Sequence, residues 1–296
     1  MTAIKATGSD KVFNILNNAI LAIVLILVLY PIYFIIISSI SDPNDVAMGS
    51  VWIVPKGINF EGYKSIFRDT VIWTGYKNSL IYTSIGTLIN ISVTLLAAYA
   101  LSRKDLAGRN ALMFLFTFTM FFSGGLIPTY LVVKNLDLID KIGAMVLPNA
   151  LSVYYLIIAR TFFITSIPEE IREAAIMDGC SNTRFFKAIV LPLSKAIIAV
   201  LALFYAVSHW NAFFNAMIYM RHEKKYPLQL ILRGILLQNE MRENMTDTIG
   251  DASDIQRKVD MIKYGIIIVA SVPVLIAYPF AQRYFIKGVM IGSIKG

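Results

Sequence analysis

Six long apolar stretches constrain the fold of this chain more than any other feature. Each exceeds the roughly 20 helical residues that cross a bilayer core about 30 Å thick. The stretches are 12–40, 79–101, 111–133, 142–164, 189–220 and 261–286. Because lipid offers no hydrogen bonds to the backbone, we expect each stretch to be helical. The sequence therefore predicts an all-α, polytopic membrane protein with six transmembrane helices that form a single membrane domain over residues 1–296.

The composition indicates the same class of protein. The chain has 296 residues, of which 57% are hydrophobic and 16% are charged, whereas soluble domains are typically about 45–50% apolar and about 25% charged. A compact soluble domain could not bury this much apolar surface, so part of the surface must face lipid. The net charge of +8 would suggest a nucleic-acid partner for a soluble protein. Here we interpret it as basic loops on the cytoplasmic side and expect no nucleic-acid partner.

The distribution of basic residues predicts that both termini lie in the cytoplasm. Lys and Arg in short loops mark the cytoplasmic side of a membrane protein. The 102–110 loop has three basic residues and one acidic residue, and the tail after Gln282 has three basic residues and no acid. The longer segments 41–78 and 221–260 carry equal numbers of basic and acidic residues, so we expect them outside.

The sequence lacks the common signatures of catalysis. With Cys180 as the single cysteine and His209 and His222 as the only histidines, an intrachain disulfide and a zinc cluster within the chain are not expected. The Gly-rich phosphate loop ending in Gly-Lys-Ser/Thr, the His-Glu-x-x-His motif and the Gly-x-Ser-x-Gly motif are absent. We therefore expect a chain that is not an enzyme, does not hydrolyse ATP itself and holds no cofactor.

A short amphipathic helix is predicted over residues 167–178, in the predicted cytoplasmic loop before the fifth stretch. Ser166 followed by Glu169 is the pattern of a capping box, and Gly179 can adopt the left-handed conformation that ends a helix. A second short helix from about Asn182 would lead into the fifth stretch. The small residues Ala174 and Ala175 suit docking into a groove on another protein. The alternative is an amphipathic connector that lies on the bilayer.

The spacing of residues in this loop resembles a known family signature. Glu173-Ala174-Ala175, Gly179, Ile189 and Leu191-Pro192 match in residue type and offset the Glu-Ala-Ala loop of permease subunits of binding-protein-dependent ABC importers. Further segments resemble the carbohydrate-type permeases of this family, namely 98–108, 210–214 and 282–296. The segments 41–44 and 121–130 are similar to the subgroup near lipoprotein-linked and alginate-type polysaccharide permeases.

The resemblance implies a function and a set of partners. It implies the type I permease fold of ABC importers in the bacterial cytoplasmic membrane, and half of a pathway that imports an oligosaccharide or polysaccharide fragment by alternating access. The implied partners are a second homologous permease subunit, two ATPase subunits that bind ATP and Mg²⁺, an extracytoplasmic solute-binding protein and membrane lipid. The residues implied to couple the permease to an ATPase are Glu173, Ala174, Ala175, Asp178 and Gly179.

Polar residues within two of the stretches are candidates for the substrate pathway. Asn and aromatic side chains offer the hydrogen bonds and apolar ring contacts that sugars use. The candidates are Ser208, His209, Trp210, Asn211 and Asn215 in the fifth stretch, and Asn90 on a face of the second stretch that also carries Thr83, Thr87 and Thr94. The alternative is that these side chains form buried hydrogen bonds between helices.

Two other classes of membrane protein fit the sequence less well. A secondary transporter should have acidic residues at mid-span, and a membrane-embedded enzyme should cluster His, Asp or Glu at one depth. The six stretches show neither pattern. Arg160 and Lys195 lie near the ends of stretches, and we interpret them as interfacial anchors. The tail 286–296 and the segment 221–260 are candidate contacts with the ATPase and the binding protein; the alternatives are a frayed end and a simple loop.

Overall fold

The fold is described from a computed structural model, which covers residues 8–243, 262–279 and 282. These residues form helices and connecting turns, with no β-strand among them, which confirms the all-α prediction. The helices are α1 (Gly8–Ser39), α2 (Pro43–Ala47), α3 (Glu61–Arg68), α4 (Thr70–Ser102), α5 (Arg109–Phe121), α6 (Leu126–Asn135), α7 (Ile142–Val146), α8 (Val153–Ser166), α9 (Glu169–Met177), α10 (Asn182–Phe185), α11 (Leu191–Leu193), α12 (Lys195–Trp210), α13 (Phe214–Tyr219), α14 (Leu228–Glu243) and α15 (Ile262–Pro279).

Three helices in the described part of the chain are long and apolar enough to cross a bilayer without interruption: α1, α4 and α15. They correspond to the first, second and sixth predicted stretches. The other three stretches each fall on a pair of helices that meets the same test only when the two members are counted together. The prediction of one continuous helix per stretch is therefore wrong for the third, fourth and fifth stretches.

The third stretch breaks between α5 and α6, which are bent by 113°. Gly125 lies at φ +85° and ψ −179°, a conformation that is essentially restricted to glycine. Pro128 then lies in the first turn of α6, where a missing N–H costs little. In a continuous helix its ring would clash with the carbonyl of Gly124. The sequence Gly124-Gly125 followed by Pro128 therefore ends one helix and begins another.

The fourth and fifth stretches bend by 55° and 79° respectively. The fourth is interrupted after a short 3₁₀ turn, Leu147–Asn149, and resumes at α8. The fifth contains a π-helical turn, Phe186–Val190, and bends at Ser194 just after Pro192. Pro192 has no N–H for the carbonyl of Ala188, so the regular hydrogen-bond ladder cannot continue there.

Among the described residues, 8–69, 234–243 and 262–270 form one compact unit. Within it, Tyr63 of α3 donates its hydroxyl to Ser39 Oγ at the end of α1, at 2.8 Å. Phe34 of α1 packs edge-to-face on Tyr264 of α15, with ring centroids 6.2 Å apart. Nearly all side chains of α1 before Ile36 are exposed, and those in residues 19–33 are all apolar or aromatic.

The described residues 70–233, 271–279 and 282 belong to the second compact unit. Its long helix α4 packs along α8 and α12, and the buried side chains fall into two clusters. One cluster lies toward the end of α4, where Leu95, Ala98 and Leu101 meet α8 and α12. The other surrounds Tyr82, with buried residues from α6, α7 and α13. The single membrane domain inferred from the sequence stays a prediction.

Candidate functional site

The predicted short helix before the fifth stretch is present as α9, but its start differs from the prediction. Ser166 is the last residue of α8, and the N-cap of α9 is Pro168, with no side-chain hydrogen bond. An N-cap residue needs an extended backbone, and here Pro168 has that backbone, with ψ 143°. The predicted capping box between Ser166 and Glu169 is therefore wrong, because α8 continues through the serine.

The predicted end of this helix is confirmed. Gly179 adopts φ +71°, and its N–H donates to Ile176 O at 2.9 Å. The next residue, Cys180, donates its N–H to Ala175 O at 2.9 Å. The second short helix begins at Asn182 as predicted, and Ser181 Oγ caps it by accepting from Arg184 N–H at 3.3 Å.

The five predicted coupling residues do not share one face of α9. Ala175 is 8% exposed and belongs to the core cluster at the end of α4. The other four, Glu173, Ala174, Asp178 and Gly179, are exposed. Apolar side chains accompany them on the exposed surface, and Met177 is 87% exposed. The helix therefore has one face fixed in the core and an opposite face that is part apolar and part acidic.

A cluster of charged and polar residues connects α9 with the loop that follows α4. We call Arg103, Asp105, Glu169, Arg172 and Asn182 the Asp105 cluster. Arg103 donates Nε–H to Asp105 Oδ1 at 2.8 Å and Nη1–H to Asn182 Oδ1 at 2.7 Å. Arg172 lies with Nη1 3.8 Å from Asp105 Oδ2 and also pairs with Glu169. The Arg103 guanidinium lowers the pKa of Asp105 to about 2, so this carboxylate is ionised at neutral pH.

The last turn of α4 is also capped by arginines from neighbouring helices. Arg160 of α8 donates Nε–H to Leu101 O at 2.9 Å, and Arg109 of α5 donates to Arg103 O at 3.3 Å. Cations near a helix C-terminus satisfy free carbonyls and complement the helix dipole. The anchoring role of Arg160 at the membrane interface stays a prediction, and sequence reasoning missed its contact with Leu101. Lys195, the other predicted anchor, is exposed.

The second candidate site is a cavity of about 370 Å³ beside α4, α8 and α12. Four of the six predicted pathway residues line it. Trp210 and Asn211 do not. The lining residues are Asn90, Met145, Asn149, Leu151, Ser152, Tyr155, Tyr205, Ser208, His209, Ala212 and Asn215.

The structure places Trp210 and Asn211 away from this cavity. Trp210 is 4% exposed and packs edge-to-face on Tyr76, with centroids 5.4 Å apart. Asn211 Oδ1 accepts from Gln229 Nε2 at 3.4 Å. Successive helical residues point about 100° apart, so neighbours in sequence need not share the face that carries Ser208.

His209 and Asn90 contact each other, and a glycine makes room for them. His209 Nε2 lies 3.3 Å from Asn90 Oδ1, and Asn90 Nδ2 donates to Asn149 O at 2.8 Å. A Cβ on Gly86 would lie 2.5 Å from His209 Nε2, so the imidazole packs directly on the backbone of α4. The predicted alternative, hydrogen bonding between helices, applies to both Asn90 and His209.

A second pair of side chains, Tyr205 and Thr94, lies on the other side of the break in the fourth stretch. Tyr205 OH is 2.7 Å from Thr94 Oγ1 and accepts from Ser152 N–H at 3.2 Å. Asn90 holds Asn149 O just before the break. The backbone groups on both sides of the break are thus paired with side chains of α4 and α12. Sequence reasoning missed Tyr205, although it lies one turn before His209 on the same face.

The beginning of the predicted external segment 221–260 is fixed by a carboxylate. We call Asp140, Arg221, His222 and Lys225 the Asp140 cluster. Asp140 Oδ1 accepts from Arg221 N–H at 3.0 Å, and Oδ2 lies 2.5 Å from Lys225 Nζ and 2.6 Å from His222 Nδ1. Lys225 is the largest influence that holds the pKa of Asp140 well below its usual range. The remainder of the segment, from 244 to 260, and the tail 286–296 lie outside the described residues.

Comparisons with known proteins extend over nearly the whole chain. It is 39% identical over 290 residues to Protein LplC of Bacillus subtilis, covering 98% of this chain and 97% of that protein. It is 38% identical over 287 residues to the polygalacturonan/rhamnogalacturonan transport system permease protein YtcP of the same organism, covering 97% and 99%. The arabinooligosaccharides transport system permease protein AraQ of Bacillus subtilis is 24% identical over 291 residues, covering 97% of each chain.

One solved structure is similar along its full length. It is the crystal structure of a bacterial ABC transporter involved in the import of the acidic polysaccharide alginate. The TM-score is 0.86 and the sequence identity 31%, covering 96% of this chain and 100% of the solved chain. No family model matches the sequence.

Proposed function

Because this chain belongs to the permease subunits of binding-protein-dependent carbohydrate ABC importers, we propose that it forms half of an ATP-driven pathway for an oligosaccharide or polysaccharide fragment. The observation that carries the proposal is the match over 96% of the chain, at 31% identity, to a chain of the alginate importer. The names of two relatives support a substrate of this class, because they refer to polygalacturonan/rhamnogalacturonan and to arabino-oligosaccharides.

We propose a six-span topology with both termini in the cytoplasm. The support is that α1, α4 and α15 are each long enough to cross, and that the three bent pairs can each serve as one span. The exposed apolar surface of α1 suits lipid contact. The basic loop 102–110 and the basic tail favour the cytoplasmic side for both. Segments 41–78 and 221–260 would then face outward, where the solute-binding protein docks.

We propose that α9 is the coupling helix and that its exposed face sits in a cleft of an ATPase subunit. Glu173 and Asp178 could pair with basic residues at the rim of that cleft, while Ala174 and Met177 present apolar surface. Ala175 fixes the opposite face in the core of the permease. ATP and Mg²⁺ would bind to the two ATPase subunits, and their closure would move α9 and switch the pathway between inward-facing and outward-facing states.

We propose that the 370 Å³ cavity is part of the substrate pathway. Its lining combines amides, hydroxyls and tyrosine rings, the groups that bind sugar hydroxyls and the apolar faces of sugar rings. Ser208 and Asn215 line the cavity, whereas the hydrogen bonds that hold the two sides of the break come from Asn90 and Tyr205. Asn90 and His209 would shape the cavity by their mutual contact.

The test is purification of the chain from native membranes with its neighbours intact. The purified complex should contain a second permease and two ATPase subunits, and ATP hydrolysis should rise when the solute-binding protein is added with a pectin digest or with arabino-oligosaccharides. A chain that purifies alone, or a complex whose ATP hydrolysis responds to none of these sugars, would contradict the proposal.

A further inference from the structure

The Asp105 cluster joins two parts of the chain that are not consecutive. Through the backbone, α9 is connected directly to α8 and, by way of α10 and α11, to α12. It has no direct chain connection to α4. The 3.8 Å contact between Arg172 Nη1 and Asp105 Oδ2 makes this connection laterally, since Asp105 lies three residues after the end of α4.

The two arginines hold the carboxylate from different elements. Arg103, at the end of α4, binds both oxygens of Asp105 through Nε and Nη2. Arg103 Nη1 also donates to Asn182 Oδ1 at 2.7 Å. Asn182 begins α10, the helix that follows α9 in the sequence. The side chains of Arg103 and Arg172 are 13% and 22% exposed, whereas that of Asp105 is 52% exposed, so the pairs are shielded from water on the arginine side only. Pairs that are partly shielded from water are screened less by salt than fully exposed pairs.

Helix α4, which the Asp105 cluster connects to α9, is suited to transmit a displacement. α4 is continuous from Thr70 to Ser102, whereas the third, fourth and fifth stretches are bent. Asn90 lies about 20 Å along α4 from Arg103 at about 1.5 Å per residue, and it lines the cavity together with Ser208. An unbroken helix therefore runs from the Asp105 cluster to the cavity.

We propose that Asp105 and Arg172 are positioning residues that tie α9 to α4, so that movement of α9 displaces α4 and changes access to the cavity. This inference rests on the proposed function, since it takes α9 as the helix that an ATPase moves. Asp105 acts through Arg172 and Arg103 and contacts neither ATP nor sugar. Without this tie, α9 would still contact α4 through Ala175 in the shared core, but the displacement of α4 would be smaller.

The test follows access to the cavity without needing the natural sugar. In the complete complex, with Cys180→Ser, a Ser208→Cys variant is labelled with a water-soluble maleimide. The labelling rate is compared with and without ATP, Mg²⁺ and vanadate. The variants are Asp105→Asn, Arg172→Gln, the double variant and Asp105→Glu. The control is Lys104→Gln, because Lys104 is exposed on the same loop and forms no ion pair with any residue that the structure describes.

The inference predicts a specific pattern of rates. Asp105→Asn and Arg172→Gln should each reduce the nucleotide-dependent change in labelling about two- to fivefold, the range expected for one partly exposed ion pair. The double variant should be no worse than the more severe single variant, because both remove one contact. Asp105→Glu should restore part of the change, and Lys104→Gln should leave it intact. The amount of ATPase subunits that copurifies with the permease should be the same in all variants.

Three results would overturn the inference. The first is an undiminished change in labelling in Asp105→Asn, and the second is additive losses in the double variant. The third is loss of the ATPase subunits from Asp105→Asn, which would make the cluster a docking element instead. Failure of the proposed function is recognised separately, because the parent Ser208→Cys complex would then lack ATPase subunits or show no response to nucleotide.

Discussion

Gly86→Ala should destabilise the protein, although alanine favours helices. A Cβ at position 86 would lie 2.5, 2.6 and 2.8 Å from three atoms of the His209 ring. All three distances are well inside van der Waals contact, so the imidazole must move. Its movement breaks the 3.3 Å contact between His209 Nε2 and Asn90 Oδ1.

The magnitude follows from three contributions. Overpacking a well-packed site typically costs about 1–3 kcal/mol. Loss of one intramolecular hydrogen bond costs about 0.5–1.5 kcal/mol. Replacing glycine by alanine within a helix returns about 0.5–1 kcal/mol. The net expectation is a loss of about 2 kcal/mol, which lowers the Tm of a chain this size by about 3 °C, at an unfolding entropy of roughly 2.1 cal/mol/K per residue.

The assay is thermal unfolding of the purified complex in detergent, with Gly234→Ala as the matched control. Gly234 is also helical, within α14, and a Cβ there meets nothing within 4 Å, so its substitution should leave Tm unchanged or raise it slightly. Adding His209→Ala to Gly86→Ala removes the clashing ring and should recover part of the loss. Equal Tm values for Gly86→Ala and Gly234→Ala would refute this reasoning.

Three further predictions concern separate contacts. Tyr205→Phe should cost about 1–2 kcal/mol, because Thr94 and the N–H of Ser152 both lose their partner; an unchanged Tm would contradict it. Asp140→Asn should increase hydrogen exchange over residues 221–226 at neutral pH. Since the pKa of Asp140 lies below its ordinary value, that protection is present above about pH 4 and is lost as pH falls further, so a difference that persists in acid would argue against the carboxylate. Gly179→Ala should destabilise the end of α9 by about 1 kcal/mol because of its φ of +71°, which exchange of the amides after Ile176 would detect.

The sequence predicts the helices well where a long apolar stretch forms one continuous helix. It predicts them poorly where a few residues divide such a stretch into two helices. α1 and α4 contain the predicted stretches almost completely. The interruption at Gly124–Gly125 has a visible signal in Pro128, but a criterion of length and hydropathy alone does not use it. The bend at Ser194 has a similar signal in Pro192.

The end of α9 was predictable because it depends on one local property, the freedom of Gly179 to adopt a positive φ. Its beginning was not, because the role of Ser166 depends on where α8 ends. In the structure α8 continues through the serine, and Phe163 in its last turn is buried in the core shared with α4.

The cavity was predicted in part. The sequence grouped Ser208 and Asn215 with His209 correctly, although α12 ends at Trp210 between them and the same grouping wrongly included Asn211. The position of Asn90 inside an apolar stretch is what made it a candidate. The contributions of Asn149 and Ser152 were missed because they lie on either side of a break. Its signal, Pro148, is not used by a criterion of length and hydropathy. The side chains that bond to the free backbone groups of Asn149 and Ser152 can be predicted only once the position of the break is known.

The most direct measurement of the central claim, that an ATPase moves this permease through α9, is site-directed crosslinking in native membranes. With Cys180 replaced by serine, a cysteine is introduced at Ala174 or, as the matched control, at Ala175, and a thiol-to-amine crosslinker is added. The exposed position 174 should capture a nucleotide-hydrolysing subunit, while position 175, 8% exposed and in the core, should not. Absence of the ATPase from the position 174 product, or equal capture from both positions, would contradict the account.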